Sequence, residues 1–138
     1  MEITSLTNAK VKQWARLKEK KYREKDQRFL VEGEHLIEEA ARAGLVEAVL
    51  VEIGKAHAFV EYPVYEVTKD ILRKLESSVS GTWIMAVCHM PQYHDAEFGK
   101  RVIVLDDVQD PGNVGTIIRT AVSFGYDAVL LSAHSCDV

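Results

Sequence analysis

Cysteine is scarce in this sequence, and long apolar runs are missing altogether. Cys88 and Cys136 have no framework spacing, so we expect reduced thiols that pack as small hydrophobic side chains. No apolar run approaches the roughly 20 residues that a membrane-spanning helix needs. The N-terminus is charged where a signal peptide would be apolar. These absences predict a cytoplasmic protein with no membrane partner.

Several common functional signatures are also missing. The sequence has no Walker loop, no dinucleotide-binding Gly-x-Gly-x-x-Gly and no Gly-x-Ser-x-Gly elbow. Cys88, His89, His94 and Asp95 lie close together in sequence, but their spacing fits no zinc pattern. The stretch from residue 89 to 99 is polar, contains proline and has no periodicity, which is typical of a linker rather than a rigid metal site. We therefore predict no metal.

Positive charge is concentrated at one end of the chain. The 138 residues carry a net charge of −4, yet nine of the 17 lysines and arginines lie at or before Arg28, against four of the 21 acidic residues. A polyanion would meet this N-terminal arm first. The alternative is that the basic residues simply form the solvated face of a helix.

The first 88 residues alternate between helical and extended patterns. Strands are predicted at 28–31, 46–53, 64–67 and 82–87, and helices after Asn8 or Thr7, after Gly33, near 55–60 and after a Thr68 cap. In the helix after Gly33, Leu36 and Ile37 are expected to face inward. This rhythm predicts an α/β layer sandwich over residues 1–88, followed by the linker and a second domain from residue 100.

The second domain begins with a βαβ pattern. Buried strands are predicted at 102–105 and 128–131, parallel and joined by a right-handed crossover. The helix between them has its apolar residues at Val114, Ile117, Ile118, Ala121 and Val122. Asn113 is predicted to cap this helix, and Gly125 to follow its end in a left-handed conformation.

Two polar residues of this unit, Asn113 and Arg119, occupy positions that are typical of functional residues. Asn113 lies where the carboxyl end of a strand meets a helix, which is where open α/β sheets bind ligands. Arg119 falls off the apolar face and can reach outward. On spacing alone, the alternatives are an ordinary helix cap and a solvated arginine.

The stretch from Asp110 to Gly125 resembles motif 1 of the SpoU/TrmH family of RNA ribose 2'-O-methyltransferases. It has the asparagine, the glycine two positions later, the arginine six positions later and the closing Phe-Gly, all after a strand that ends in Leu-Asp. The resemblance implies catalytic roles for Arg119 and Asn113. It implies structural roles for the loop residues Asp110, Pro111, Gly112, Gly115 and Gly125.

The family resemblance also suggests what the two catalytic residues do. Arg119 would clamp a phosphate, and the family proposal that it takes the proton of the 2'-hydroxyl meets the difficulty that a guanidinium is effectively always protonated. Asn113 would hold the loop and contact the ribose or Arg119. Gly115, which has no Cβ, would let a backbone approach closely.

The stretch from Arg28 to Gly33 is similar to the substrate-binding domain of the same family, which resembles ribosomal proteins that grip kinked RNA. The turn at residues 78–83 departs from the Pro-Gln-Gly form of that domain. The residues assigned to RNA binding are Lys18, Lys20, Lys21, Arg23, Arg28, Glu32 and Gly33.

Residues 99–138 hold two strands and one helix, too little for an independent core. In the resembled family this unit opens a doubly wound, knotted domain that binds S-adenosylmethionine and forms a homodimer. We therefore expect an N-terminal piece of a longer enzyme that acts on rRNA or tRNA. We expect S-adenosylmethionine to bind the longer protein and not this piece. The alternatives are a non-catalytic RNA-binding module and a small α/β binding domain unrelated to RNA.

Overall fold

The computed structural model describes residues 1–92 and 99–136, which fall in two compact units divided between Gln92 and Tyr93. Residues 93–98 of the predicted linker, with His94 and Asp95, lie outside the described residues, as do positions 137 and 138. No helix in the described ranges is both long and apolar enough to cross a membrane.

The first unit is a mixed five-stranded sheet with helices. Its elements in chain order are β1 (Glu2–Ile3), α1 (Ala9–Ala15), α2 (Lys20–Asp26), β2 (Arg28–Glu32), α3 (Glu34–Arg42), β3 (Val46–Glu52), β4 (Val64–Val67), α4 (Lys69–Leu75) and β5 (Ile84–His89). The strand order is β1-β4-β3-β5-β2. Strand β4 runs parallel to β1 and β3, whereas β5 runs antiparallel to β3 and β2.

Both faces of this sheet are covered, because alternate residues of its central strands enter two separate apolar clusters. In β3, Leu50 packs with Trp14 of α1 and Ile71 of α4, whereas its neighbours Val49 and Val51 pack in the cluster that contains Ile37 of α3. Successive side chains of a strand point to opposite faces. The predicted α/β layer sandwich is thus a sheet with helices on both sides.

Most of the predicted elements of this unit are confirmed. Asn8 caps α1 through its side-chain oxygen, which accepts from the amide of Lys10 at 2.9 Å, and Thr68 caps α4 in the same way. The predicted strands at 28–31, 46–53 and 64–67 are present within one residue at either end. The last strand begins at Ile84 rather than at residue 82, because the Thr82 hydroxyl bonds locally to the carbonyl of Ile84.

Other predictions for this unit are wrong. No helix forms at 55–60, where the backbone makes turns and bends and Phe59 alone is buried. Leu36 was expected to face inward but is 50% exposed, because only Ile37 and Ala40 of α3 reach the sheet. Helix α2 was not predicted. It buries none of its residues, so it has no apolar periodicity to detect.

The second unit contains β6 (Val102–Leu105), α5 (Pro111–Ser123) and β7 (Ala128–Leu131), as predicted. Strands β6 and β7 are parallel, with Val102 opposite Ala128 and Leu105 opposite Leu131. Gly125 has a φ of +71°, which confirms its left-handed position past the helix end.

Two predictions for α5 are wrong. Val114 and Ala121 are buried, but Val122 is 72% exposed, since it lies about 100° around the helix from Ala121. Asn113 does not cap the helix. Asp110 does so, and α5 begins at Pro111, because proline fits the first helical position, where its missing N–H costs no hydrogen bond.

Candidate functional site

The N-terminus of α5 is built around the Asp110 side chain. Its Oδ1 accepts a hydrogen bond from the amide of Gly112 at 2.8 Å. A Cβ at Gly112 would lie only 3.2 Å from that oxygen. A residue without a side chain therefore allows this close cap, which fixes where the helix starts. Asn113 is consequently an exposed residue of the first helical turn.

Arg119 folds back along α5 toward the helix N-terminus. Its Nη2 donates to the Thr116 hydroxyl at 3.3 Å, and that hydroxyl donates in turn to the carbonyl of Gly112 at 2.9 Å. A Cβ at Gly115 would lie 3.3 Å from the Arg119 Nη1. The guanidinium is thus exposed to solvent but rests on a glycine surface.

The two residues assigned to catalysis are both exposed on α5, but the structure does not join them. Among the described residues, Arg119 has hydrogen bonds with Thr116 and Ser123 and none with Asn113. They lie six residues apart, about 120° around the helix. Gly115 lies against the Arg119 guanidinium. The close approach of a backbone at Gly115 stays a prediction.

The loops that follow β6 and β7 are bonded to each other at the carboxyl edge of the two strands. The buried hydroxyl of Ser135 accepts from the amide of Val108 at 3.0 Å and lies 3.1 Å from the Ser132 hydroxyl. The Ser132 hydroxyl accepts from the amide of Asp107 at 2.8 Å, and Asp107 has a φ of +54°. These serines hold the loop that leads into α5.

Sequence reasoning missed this serine pair. The only signal was that both serines follow the second strand, so that they reach the same edge as the loop after the first strand. Gln109 adds to the link between the loops, since its Nε2 donates to the carboxylate of Asp107 at 2.6 Å and to the carbonyl of His134. The two loops therefore form one connected surface.

In the N-terminal arm, the arginines make intramolecular contacts. Arg23 donates to the carbonyls of Leu17 and Lys18 at 3.0 and 2.8 Å. Arg28 forms a two-pronged ion pair with Glu47, with N–O distances of 2.6 and 3.1 Å. The hydrogen bonds of this pair raise the pKa of Arg28 and lower the pKa of Glu47.

The lysines assigned to RNA binding have a different setting. Lys18 and Lys21 are exposed, and Lys20 is partly exposed. The ammonium of Lys21 lies 4.9 Å from the centre of the Tyr22 ring and 3.9 Å from the Glu19 carboxylate. The exposed positive charge of the arm thus comes from lysines, whereas its arginines stabilise the local fold.

Glu32 and Gly33 lie at the end of β2 beside a serine-rich turn. The Glu32 carboxylate accepts from the amide and the hydroxyl of Ser77 at 3.1 and 2.7 Å, and it lies 3.4 Å from the hydroxyls of Ser78 and Ser80. Gly33 has a φ of +89°, which only glycine adopts readily. The geometry therefore gives Glu32 an anchoring role, and its contact with RNA stays a prediction.

Within residues 1–92 and 99–136, no cluster of three or more histidine, cysteine or acidic side chains could hold a metal ion. Burial, with the nearby charge of Glu47, raises the pKa of the Cys88 thiol to about 12. Cys88 is therefore a protonated core residue at neutral pH.

Two family models match the chain over separate stretches. Residues 8–86 match the MRM3-like substrate binding domain, and residues 100–138 match the SpoU rRNA Methylase family. The chain belongs to the SpoU family of RNA methyltransferases. The resemblance inferred from residues 110–125 is confirmed, because the SpoU match contains all of them. The basic arm and the Glu32 turn of this SpoU-family chain fall mostly in the substrate-binding match.

Related proteins and solved structures agree with this family. The Bacillus subtilis (strain 168) 23S rRNA (guanosine(2553)-2'-O)-methyltransferase RlmP is 41% identical over 99% of this chain and 56% of its own length. Human mitochondrial rRNA methyltransferase 3 is 28% identical over 88% of this chain and 32% of its own length. The chain thus spans about half of the bacterial relative and about a third of the human one.

The fold is shared with solved structures of RNA methyltransferases. A crystal structure of an RNA 2'-O ribose methyltransferase matches 96% of this chain with a TM-score of 0.77 and 32% identity, and 56% of that protein is covered. AviRb from Streptomyces viridochromogenes, solved in complex with AdoMet, matches 95% of this chain with a TM-score of 0.81 and 25% identity, and 55% of AviRb is covered. The mixed α/β architecture of this SpoU-family chain is therefore that of its relatives.

Proposed function

We propose that this chain supplies the substrate-binding domain and the first catalytic helix of an rRNA ribose 2'-O-methyltransferase. The observation that carries the proposal is the exposed guanidinium of Arg119, which rests on Gly115 within the SpoU match. The neighbouring substrate-binding match and the relatives that act on rRNA support RNA as the substrate.

Arg119 is proposed to bind a phosphate next to the target ribose. Its planar fork can hold two phosphate oxygens at once. The bond to Thr116 is 3.3 Å long and exposed, so a phosphate can replace it at little cost. Holding the phosphate fixes the adjacent ribose and favours a reactive geometry for its 2'-hydroxyl. Asn113, exposed on the first turn of the same helix, is proposed to contact the ribose.

The methyl group is proposed to come from S-adenosylmethionine held by other parts of a longer protein. In the described residues, Ser135 and Gln109 bond the loops after β6 and β7 to each other. AviRb, which binds AdoMet, is nearly twice as long as the part of it that matches this chain. We therefore propose that the 138-residue chain alone neither binds the cofactor nor methylates RNA.

The exposed apolar residues of the second unit support the proposal that a larger domain covers it. Val104, Val122 and Phe124 are each more than 65% exposed. A groove of about 430 Å³ lies between Ile103 and Phe124. Further strands and helices of a doubly wound, knotted domain would bury these residues, and a homodimer is proposed for that longer protein on the family resemblance.

Transfer of a labelled methyl group tests the function. The longer protein, rRNA that lacks the modification and methyl-labelled S-adenosylmethionine should yield RNA whose nucleoside digest contains a labelled 2'-O-methylnucleoside. Label on a base instead of a ribose would overturn the assignment. The 138-residue chain is the matched control, and calorimetry should detect no binding of the cofactor to it.

A second candidate, an RNA-binding module without catalysis, applies to the chain taken alone. It is favoured by the substrate-binding match over residues 8–86, which covers most of the first unit. Measuring RNA binding beside the methyl-transfer assay separates the two candidates. A longer protein that binds RNA but transfers no methyl group would support the module.

A further inference from the structure

The first unit contains a cavity of about 420 Å³ between the basic arm and the sheet. Lys10, Gln13 and Trp14 of α1 line one side, and Glu47 of β3 and Tyr65 of β4 line the other. This volume is within the range of sites that hold small molecules. None of the roles proposed above uses it.

The floor of the cavity is apolar and partly aromatic. Trp14, Leu17 and Val87 all line it and are at most 7% exposed. The rings of Trp14 and Tyr65 meet edge to face, with 5.3 Å between their centres. Pockets that bind small molecules are typically lined in this way, by apolar and aromatic side chains around a few polar groups.

The rim of the cavity is polar and offers both donors and acceptors. The Lys10 ammonium lies 5.4 Å from the centre of the Tyr65 ring, and the carboxylates of Asp26 and Glu47 also line the cavity. Arg16 holds the Asp26 carboxylate with two bonds of 2.9 and 3.1 Å, and Arg28 holds Glu47 in the same manner. A carboxylate has about four acceptor sites, so each keeps capacity for a ligand.

We infer that this cavity binds an unstacked nucleobase of the RNA substrate, with guanine favoured. Guanine has two adjacent N–H donors on its pairing edge, which match a carboxylate such as that of Glu47, and its O6 and N7 acceptors match the Lys10 ammonium. Uracil has one ring N–H between two carbonyl oxygens, and a carboxylate repels those oxygens. The inference rests on the proposed function only in taking RNA as the partner.

The surroundings of the cavity suit an RNA ligand. It lies against the arm that carries nine of the 17 lysines and arginines, so backbone phosphates can bind exposed lysines while a base enters. The ion pairs of Arg16 and Arg28 fix both carboxylates before the ligand arrives. Pre-organised acceptors of this kind cost no rearrangement on binding.

Tryptophan fluorescence tests the inference directly. The chain has two tryptophans, so Trp83→Phe leaves Trp14 in the cavity as the single reporter. Titration with GMP should change the Trp14 emission in a saturable manner, with an affinity at least about tenfold higher than for UMP. An equal response to GMP, AMP, CMP and UMP, or no saturable response to any of them, would overturn the inference.

A matched pair of variants locates the binding. Gln13→Phe places a ring at the mouth of the cavity, whereas Ala9→Phe places the same ring on an exposed position of α1 outside the cavity lining. GMP affinity should fall about tenfold in Gln13→Phe and remain unchanged in Ala9→Phe. Equal affinities in the two variants would place the nucleotide elsewhere. Because this assay needs no methyl transfer, its outcome is separate from that of the proposed enzymatic function.

Discussion

The guanidinium of Arg119 rests where a side chain at position 115 would be, with Nη1 only 3.3 Å from an ideal Cβ on Gly115. Few real Cβ contacts are as close, so a methyl group there would require the guanidinium to shift by a few tenths of an ångström. The Nη2 bond to Thr116 holds the other side of the group. Gly115 therefore lets the guanidinium rest close to the helix.

Gly115→Ala should lower the methylation rate of the longer protein without destabilising it. The added methyl displaces Arg119, whereas alanine in place of glycine inside a helix favours folding by up to about 1 kcal/mol. Single-turnover rates and thermal unfolding measure the two effects. Glu38→Ala, an exposed change on α3, is the control. An unchanged rate in Gly115→Ala would mean that the position of Arg119 does not depend on the glycine.

Asp110→Ala should destabilise the second unit of the longer protein, because Asp110 caps α5. The expected loss is about 0.5–2 kcal/mol, the usual effect of removing a side-chain cap. Asn113→Ala should leave the free energy of unfolding nearly unchanged, since Asn113 does not cap the helix. Denaturant unfolding of both variants checks this, and the reverse order of stabilities would restore Asn113 as the cap.

RNA affinity should depend on the exposed lysines of the arm. Reversing Lys18 and Lys21 to glutamate should weaken RNA binding severalfold at low salt and reduce the salt dependence, because each phosphate neutralised contributes close to −1 to the log-log slope. Reversal of Lys55 and Lys69, which are exposed outside the arm, gives the same change in net charge and is the control. Equal losses in both double variants would show a nonspecific charge effect.

The ion pair between Arg28 and Glu47 should make stability depend on acid pH. The hydrogen bond from Arg28 lowers the pKa of Glu47 in the folded chain. Its contribution is therefore fully present above the unfolded pKa of about 4.3 and is lost as pH falls through the lower folded value. Glu47→Gln should cost stability at pH 7 and little at low pH.

Denaturant midpoints at neutral and acid pH measure this difference. Glu39→Gln, which removes an exposed pair with Arg42 on α3, should show a smaller effect because exposed pairs contribute little. A Glu47→Gln variant whose loss of stability is the same at both pH values would contradict the assigned cause of the pKa shift.

The sequence predicted those parts of the fold that have a local signal. Alternation and β-branched residues located the strands, and side-chain oxygens before apolar stripes located the caps at Asn8 and Thr68. Helix α2 has no buried residue and so left no pattern. A short helix is predicted near 55–60, but the segment is irregular and only Phe59 is buried there.

The same distinction applies to the candidate site. The outward position of Arg119 follows from helical geometry alone and is confirmed. The cap was assigned to Asn113 because asparagine favours that position, but Pro111 begins the helix two residues earlier. The bonds of Ser132 and Ser135 to the preceding loop depend on the pairing of β6 with β7, which brings together residues 25 and 27 positions apart in sequence.

The helix that carries Arg119 is proposed to act in methylation of a ribose 2'-hydroxyl. Single-turnover methylation by the longer protein tests this role. The product is measured as one phosphodiester bond that resists alkali, because the neighbouring ribose 2'-oxygen is methylated. Arg119→Ala should slow this reaction by about 100-fold or more at unchanged melting temperature, and Arg119→Lys should recover only part of the rate, since lysine lacks the planar fork. Near-normal methylation by Arg119→Ala with a lowered melting temperature would show a structural arginine and contradict the claim.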